Sequence, residues 1–277
     1  MTVKVDDSKN LWLYFMITCA FSWIFWIPNA LIVNGFALPA RMVNFITGPL
    51  NPAAFGPLFA ALLLTFLQHG GKGVLQLLKR GIDFCFKKIW LIAILLLPVV
   101  IFGGSIFASI LAGVRPLDLA IISNPPYALI AFFVILFTGG PLQEEFGWRG
   151  YALPRLQSRF NSLISSVILG FFWWLWHLPA VFIPGRFMTD NLIVFLALLV
   201  VITLTSIIFT WIYNNTNGSV LAALLTHTAM NWSIWLVMPD MKMDLSTIGF
   251  MAGFLAVTVL IIIKIWGLDP MRREPIA

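Results

Sequence analysis

The chain has 277 residues, is 60% hydrophobic and only 10% charged, and has a mean hydropathy of +0.95, which excludes a water-soluble globule of this size. A formal charge of +6 would admit a nucleic-acid partner, but no basic stripe interleaved with aromatics accompanies it and the excess sits at the margins of apolar runs. The two cysteines, Cys19 and Cys85, are expected in a span and in a loop, so neither a disulfide framework nor a cysteine-based metal site is indicated.

Crossing a hydrocarbon core of roughly 30 Å takes about 20 apolar residues. Eight runs qualify in chain order: 11–33, 52–68, 89–113, 126–143, 162–182, 191–213, 218–238 and 246–266. The expected fold is all-α and polytopic, with about eight transmembrane helices, a polar site inside the bundle and one membrane domain over 1–277. The first run follows a leader carrying Asp6 and Asp7 and precedes no small-residue cleavage site, so it is read as a retained span behind a cytosolic segment 1–10. Trp12, Trp23 and Trp26 in this run are read as lipid-facing or packing residues. His69, in QHGG, is expected to mark an interface and a helix stop. Residues 72–88, KGVLQLLKRGIDFCFKK, alternate basic and apolar positions in the manner of an interfacial helix. With eight spans, 13 lysines and arginines fall on the side of the termini and even-numbered loops, against four (Arg41, Arg115, Arg186 and Lys242) on the other. Both termini are therefore expected in the cytosol.

The fourth run ends in PLQEEFGWRG and is expected to stay helical to Leu153, just before Pro154. That puts Glu144 roughly 15 Å from its cytosolic end, while His177 lies about 24 Å along the fifth helix, and His227 and Asn231 about 15 and 21 Å along the seventh. All four share one slab of the membrane, where each ionisable group costs at least ~2.5–3.5 kcal/mol and usually faces a cavity. Residues four apart share a helix face, so Glu145 is expected to pair with Arg149 as structural support, leaving Glu144 without a local partner and available for chemistry. The same spacing places His227 and Asn231 together as two possible N–H donors. Residues 126–238 thus carry the polar motifs and form the expected functional core.

A carboxylate and an imidazole in a wet membrane cavity suit activation of water for attack on an amide. Glu144, assisted by His177, would take the proton, and His227 and Asn231 would stabilise the oxyanion. No cofactor is firmly indicated. Zinc held by Glu144, His177 and His227 is the alternative, although no HExxH pair is present and each ligand comes from a different helix. No GxSxG or cysteine near the set supports a covalent nucleophile.

At these residues the chain resembles the CPBP family, the CAAX-protease and bacteriocin-processing intramembrane endopeptidases that include the type II CAAX prenyl endopeptidases. Its EExxxR motif is met by Glu144, Glu145 and Arg149, and its FxxxH motif by His177 with Trp173 in place of the usual phenylalanine. Its HxxxN pattern is met by His227 and Asn231. The resemblance implies proteolysis within the membrane, with the first glutamate and first histidine activating water and the last pair forming the oxyanion site. The expected partners are the lipid bilayer and a peptide or protein substrate reached from the membrane or cytosolic side, with no nucleic acid. Arg155 and Arg159 could steer an acidic terminus there. A non-catalytic peptide-binding or immunity protein of the same family is the alternative. A proton-coupled transporter is a third reading, weakened by the lack of an inverted repeat.

Overall fold

The computed structural model describes residues 9–48, 51–114, 125–185, 187–240, 242–269 and 271, and every regular element among them is helical. Residues 1–8 of the expected N-terminal segment lie outside the described residues, as do Arg115, Arg186, Arg272 and Arg273. In chain order the helices are α1 (Lys9–Val33), α2 (Ala40–Thr47), α3 (Gly56–Lys79), α4 (Trp90–Pro98), α5 (Gly104–Leu111), α6 (Pro125–Thr138), α7 (Pro141–Gly147), α8 (Leu153–Gln157), α9 (Ser162–Trp176), α10 (Leu192–Asn215), α11 (Val220–Val237) and α12 (Leu245–Trp266). Wider π turns at Val99–Gly103 and Trp148–Ala152 join α4 to α5 and α7 to α8. Seven stretches are long and apolar enough to cross a membrane, and the bent pair α6 and α7–α8 makes an eighth. The chain is an integral, multi-pass membrane protein.

Local chemistry sets the span starts. Asn161, Asn191, Ser219 and Asp244 each turn a side-chain oxygen onto a backbone N–H of the first turn that follows, satisfying donors a helix leaves unpaired. In α3 the helix kinks at Gly70, whose φ of 63° only glycine adopts freely, so the stop expected at QHGG is a bend. Beyond it the chain is helical to Lys79, and 80–89 runs as turns.

The fourth span departs from expectation. It breaks at Gly139–Gly140 and bends by 45°, then continues past Pro154 to Gln157. Proline removes the hydrogen bond to the carbonyl four residues back, and both orphaned carbonyls find side-chain donors. Gln143 donates to the Phe137 carbonyl at 2.9 Å, the partner that Pro141 lacks. Arg80 donates to the Gly150 carbonyl at 2.8 Å, the partner that Pro154 lacks. A distant arginine therefore lets the helix run on where the local sequence reads as a stop.

Hydrogen bonds tie each end of the bundle into one face. At one end Asn217 donates to the Cys85 carbonyl (2.8 Å), Ser219 to the Asp83 carbonyl (3.0 Å), and Ser162 to Asp269 (3.2 Å). At the other, Asn34 donates to the Phe182 carbonyl (3.1 Å) and the Met243 N–H to the Met188 carbonyl (2.8 Å). The even-numbered loops thus share the first face, here the basic face, and the loops after α1, α9 and α11 the second.

Candidate active site

Glu144 and Glu145 lie on α7, where the bend directs them inward, and both are buried. α7 crosses α3 so closely that a Cβ on Gly147 would fall 2.5 Å from the Pro57 carbonyl oxygen, which explains the glycine inside EEFGWRG. Glu145 pairs with Arg149 at 2.9 Å, as the spacing predicts, with both side chains wholly out of solvent. The guanidinium is sandwiched 4.7 Å from the rings of Trp173 and Phe209.

Three contacts lie beyond the sequence expectations. The Nδ1 of His227 meets Glu145 Oε1 at 2.8 Å, so one carboxylate anchors both Arg149 and the histidine, and the Nε2 edge of that ring is left for the cavity. Glu144 does have a local partner: Trp148, four residues on, donates its indole N–H to Oε2 at 3.3 Å. Trp173 donates to the same oxygen at 2.6 Å, so the residue standing where phenylalanine is usual supplies a second donor. The spacing of four could have identified Trp148, since a buried indole N–H usually finds an acceptor.

His177 caps the end of α9, half-buried, with Nδ1 2.9 Å from the Trp173 carbonyl, which leaves Nε2 free of that bond. It stands between Trp176 and Phe187, at ring centroid distances of 4.5 and 4.7 Å. Trp176 is fixed in turn by donating to Ser22 at 2.6 Å, and Trp23 donates to the Trp176 carbonyl at 3.0 Å, so α1 holds the end of α9 in place. Asn231 donates to the Gly139 carbonyl at 2.9 Å, the exposed edge of the broken span, so one of its N–H groups is already used.

Glu144, His177, His227 and Asn231 all line one cavity of about 460 Å³. Gly140 (φ 108°) forms part of its wall, and a Cβ there would meet both Glu144 Oε1 and Asn231 Nδ2 within 4 Å. Trp26 forms part of the wall as well. The cavity reaches the loops that carry Gly185, Asp240 and Lys242, on the face opposite the basic one, and not the opening toward the basic face that the sequence suggests. Arg155, expected near a cytosolic mouth, is instead buried over the Tyr151 ring and bonded to Gln68 at 3.0 Å. Among the described residues no three His, Cys, Asp or Glu side chains gather closely enough to hold a metal ion. With Nδ1 of His227 turned to Glu145 and Nδ1 of His177 turned to a carbonyl, both rings keep Nε2 for the cavity, an arrangement shared by an imidazole that orients water and one that binds a metal.

A family model described as type II CAAX prenyl endopeptidase Rce1-like matches residues 126–233. The CPBP resemblance holds. A curated protein named CAAX prenyl protease 2, from Methanococcus maripaludis, is 34% identical over 96 residues, which cover 32% of this chain and 34% of that protein. The chain therefore spans about a third of the length of the curated relative it matches. The matched segment contains Glu144, Glu145, Arg149, His177, His227 and Asn231.

Proposed function

We propose that the chain is an intramembrane endopeptidase that hydrolyses a peptide bond with water activated by Glu144, and that residues 126–238 form its catalytic core, with both termini in the cytosol. The observation that carries this reading is the common cavity of Glu144, His177, His227 and Asn231. Two indole donors hold Oε2 of Glu144, which leaves Oε1 to take a proton from water. His177, its Nδ1–H given to the Trp173 carbonyl, offers Nε2 as the acceptor that orients the same water. The hydroxide oxygen adds to the carbonyl carbon, and the developing oxyanion takes N–H donors from Asn231 and His227. A donor at His227 Nε2 requires the ring to carry both N–H bonds, and Glu145 is the counter-ion in place for that form. The proton on Glu144 then passes to the leaving nitrogen as the C–N bond breaks.

The test uses purified protein in lipid vesicles, incubated with a library of membrane peptides and read by mass spectrometry. New chain ends are expected with the unaltered protein and none with Glu144→Ala or His177→Ala, both variants keeping its melting temperature. Cleavage by the variants at the original rate sinks the proposal. Peptides recovered bound yet intact with the unaltered protein favour the non-catalytic peptide-binding reading.

A further inference from the structure

The cavity is sealed on one side and open on the other. Toward the basic face the cavity ends at Glu144, Trp173 and His227, and behind them lies the layer of Glu145, Trp148 and Arg149, each with 0% exposure, backed by Leu153 and Leu156, also at 0%. Nothing the size of a peptide passes that layer without unmaking the ion pair. The lining residues that are exposed lie elsewhere. Gly185, Asp240 and Lys242 stand at the opposite face, and Thr138 and Gly139 stand exposed on the flank, at the break between α6 and α7.

Charge orients these two faces. Arg149 and Arg155 are buried inside the bundle and are not edge charges, and with them set aside the described residues Lys72, Lys79, Arg80, Lys87, Lys88, Arg159 and Lys264 lie on the basic face against Arg41 and Lys242 on the other. Such an asymmetry holds the basic face in the cytosol. The walls between mouth and floor are apolar and adaptable, with Phe102, Phe187, Met188, Met243 and Met251 among them. Their volume of about 460 Å³ falls within the ~300–1,000 Å³ of ligand-sized pockets, enough for a few side chains in extended form.

We infer that substrate reaches Glu144 from the extracytosolic face and past the exposed break between α6 and α7, so that the class cleaved is an apolar, membrane-inserted peptide presented from that face. This rests on the peptidase reading for the cleavage, but the direction of access can be measured without any cleavage. Cys85 is exposed in a loop of the basic face and serves as the marker of that side. Three single-cysteine proteins are compared in intact cells and in inverted vesicles with a membrane-impermeant methanethiosulfonate. The first is Cys19→Ser, which keeps Cys85; the others are Met188→Cys and Asn231→Cys, each built on Cys19→Ser with Cys85→Ser. Met188→Cys tests the mouth and Asn231→Cys the floor.

Positions 188 and 231 are expected to react in intact cells, and Cys85 only in inverted vesicles. Reaction of 188 and 231 confined to inverted vesicles overturns the inference. So does a position 231 that reacts from neither side while 188 reacts from outside, because the floor is then closed to that face. Melting temperatures of the labelled proteins establish that each variant is folded. If the labelling is as expected but the Cys19→Ser protein, whose site is unaltered, cuts no peptide, that counts against the peptidase reading alone.

Discussion

The two flanks of the bundle bury their residues for opposite ends. In α11, which faces the site, 67% of the apolar window is buried, and the neighbouring α7–α8 segment is buried almost throughout, two glutamates and two arginines included. In α12 the figure is 28%, with Phe254, Val257, Leu260 and Ile261 turned outward, and an apolar groove of about 900 Å³ lies beside it, walled by Leu97, Val100 and Ile101. In lipid there is little hydrophobic gain from bringing one apolar helix against another, so the apolar flank can stay loose. The polar flank cannot, because each buried charge without its partner costs several kcal/mol. The contrast teaches that in this chain the folding specificity and the candidate chemistry reside in the same few side chains.

The largest expected effect comes from cutting the polar flank at its anchor. Glu145→Ala leaves Arg149 buried without its carboxylate and frees Nδ1 of His227, and the loss should reach about 3–5 kcal/mol, read as thermal unfolding in detergent. The double variant Glu145→Met with Arg149→Met should recover part of that, since no unpaired charge remains. If the double variant were as unstable as the single one, the ion pair would not be what organises this flank. Glu144→Gln comes next, with activity against a membrane peptide falling by about 10²–10⁴-fold and the melting temperature unchanged. A parallel loss of stability would place Glu144 with Glu145 among the structural residues.

Apolar runs of the right length make the spans legible, and the number and order expected from them agree with the structure, while the second span runs on to Lys79 and the fourth to Gln157. Two features resist that reading for physical reasons. The break at Gly139–Gly140 lies inside an apolar run, where hydropathy has no signal, and its local mark, Gly-Gly before Pro141, is passed over when apolar length alone is counted. The passage through Pro154 depends on Arg80, 70 residues from the carbonyl it satisfies, so no local rule could find it. Within the site, the Glu145–Arg149 pair follows from helical spacing alone. The same spacing points Trp148 at Glu144, but counting only charged partners hides an indole donor. The bond from His227 to Glu145 spans 82 residues and depends on which side of α11 packs against α7, which the periodicity of an all-apolar helix does not encode.

Trp173→Phe sharpens the contrast at smaller scale. It restores the aromatic residue usual in the FxxxH motif and removes only the 2.6 Å donor to Glu144, leaving Trp148 at 3.3 Å to hold Oε2. A hydrogen bond to a charged group is worth about 1.5–3 kcal/mol, so the rate should fall at least roughly tenfold if Trp173 positions the carboxylate. An unchanged rate would make Trp148 sufficient and Trp173 a wall.

The smallest effect is expected on the apolar flank. Leu260 on α12 is 66% exposed toward the space that lipid fills. Truncating it exchanges side-chain contacts with acyl chains for contacts of the same kind, so no apolar surface is moved into water. Leu260→Ala should therefore shift stability by less than about 0.5 kcal/mol and leave peptide cleavage untouched. A cost comparable to that of Trp173→Phe would mean that this face packs against protein and not lipid, because only a close-packed partner leaves a cavity when a leucine is removed.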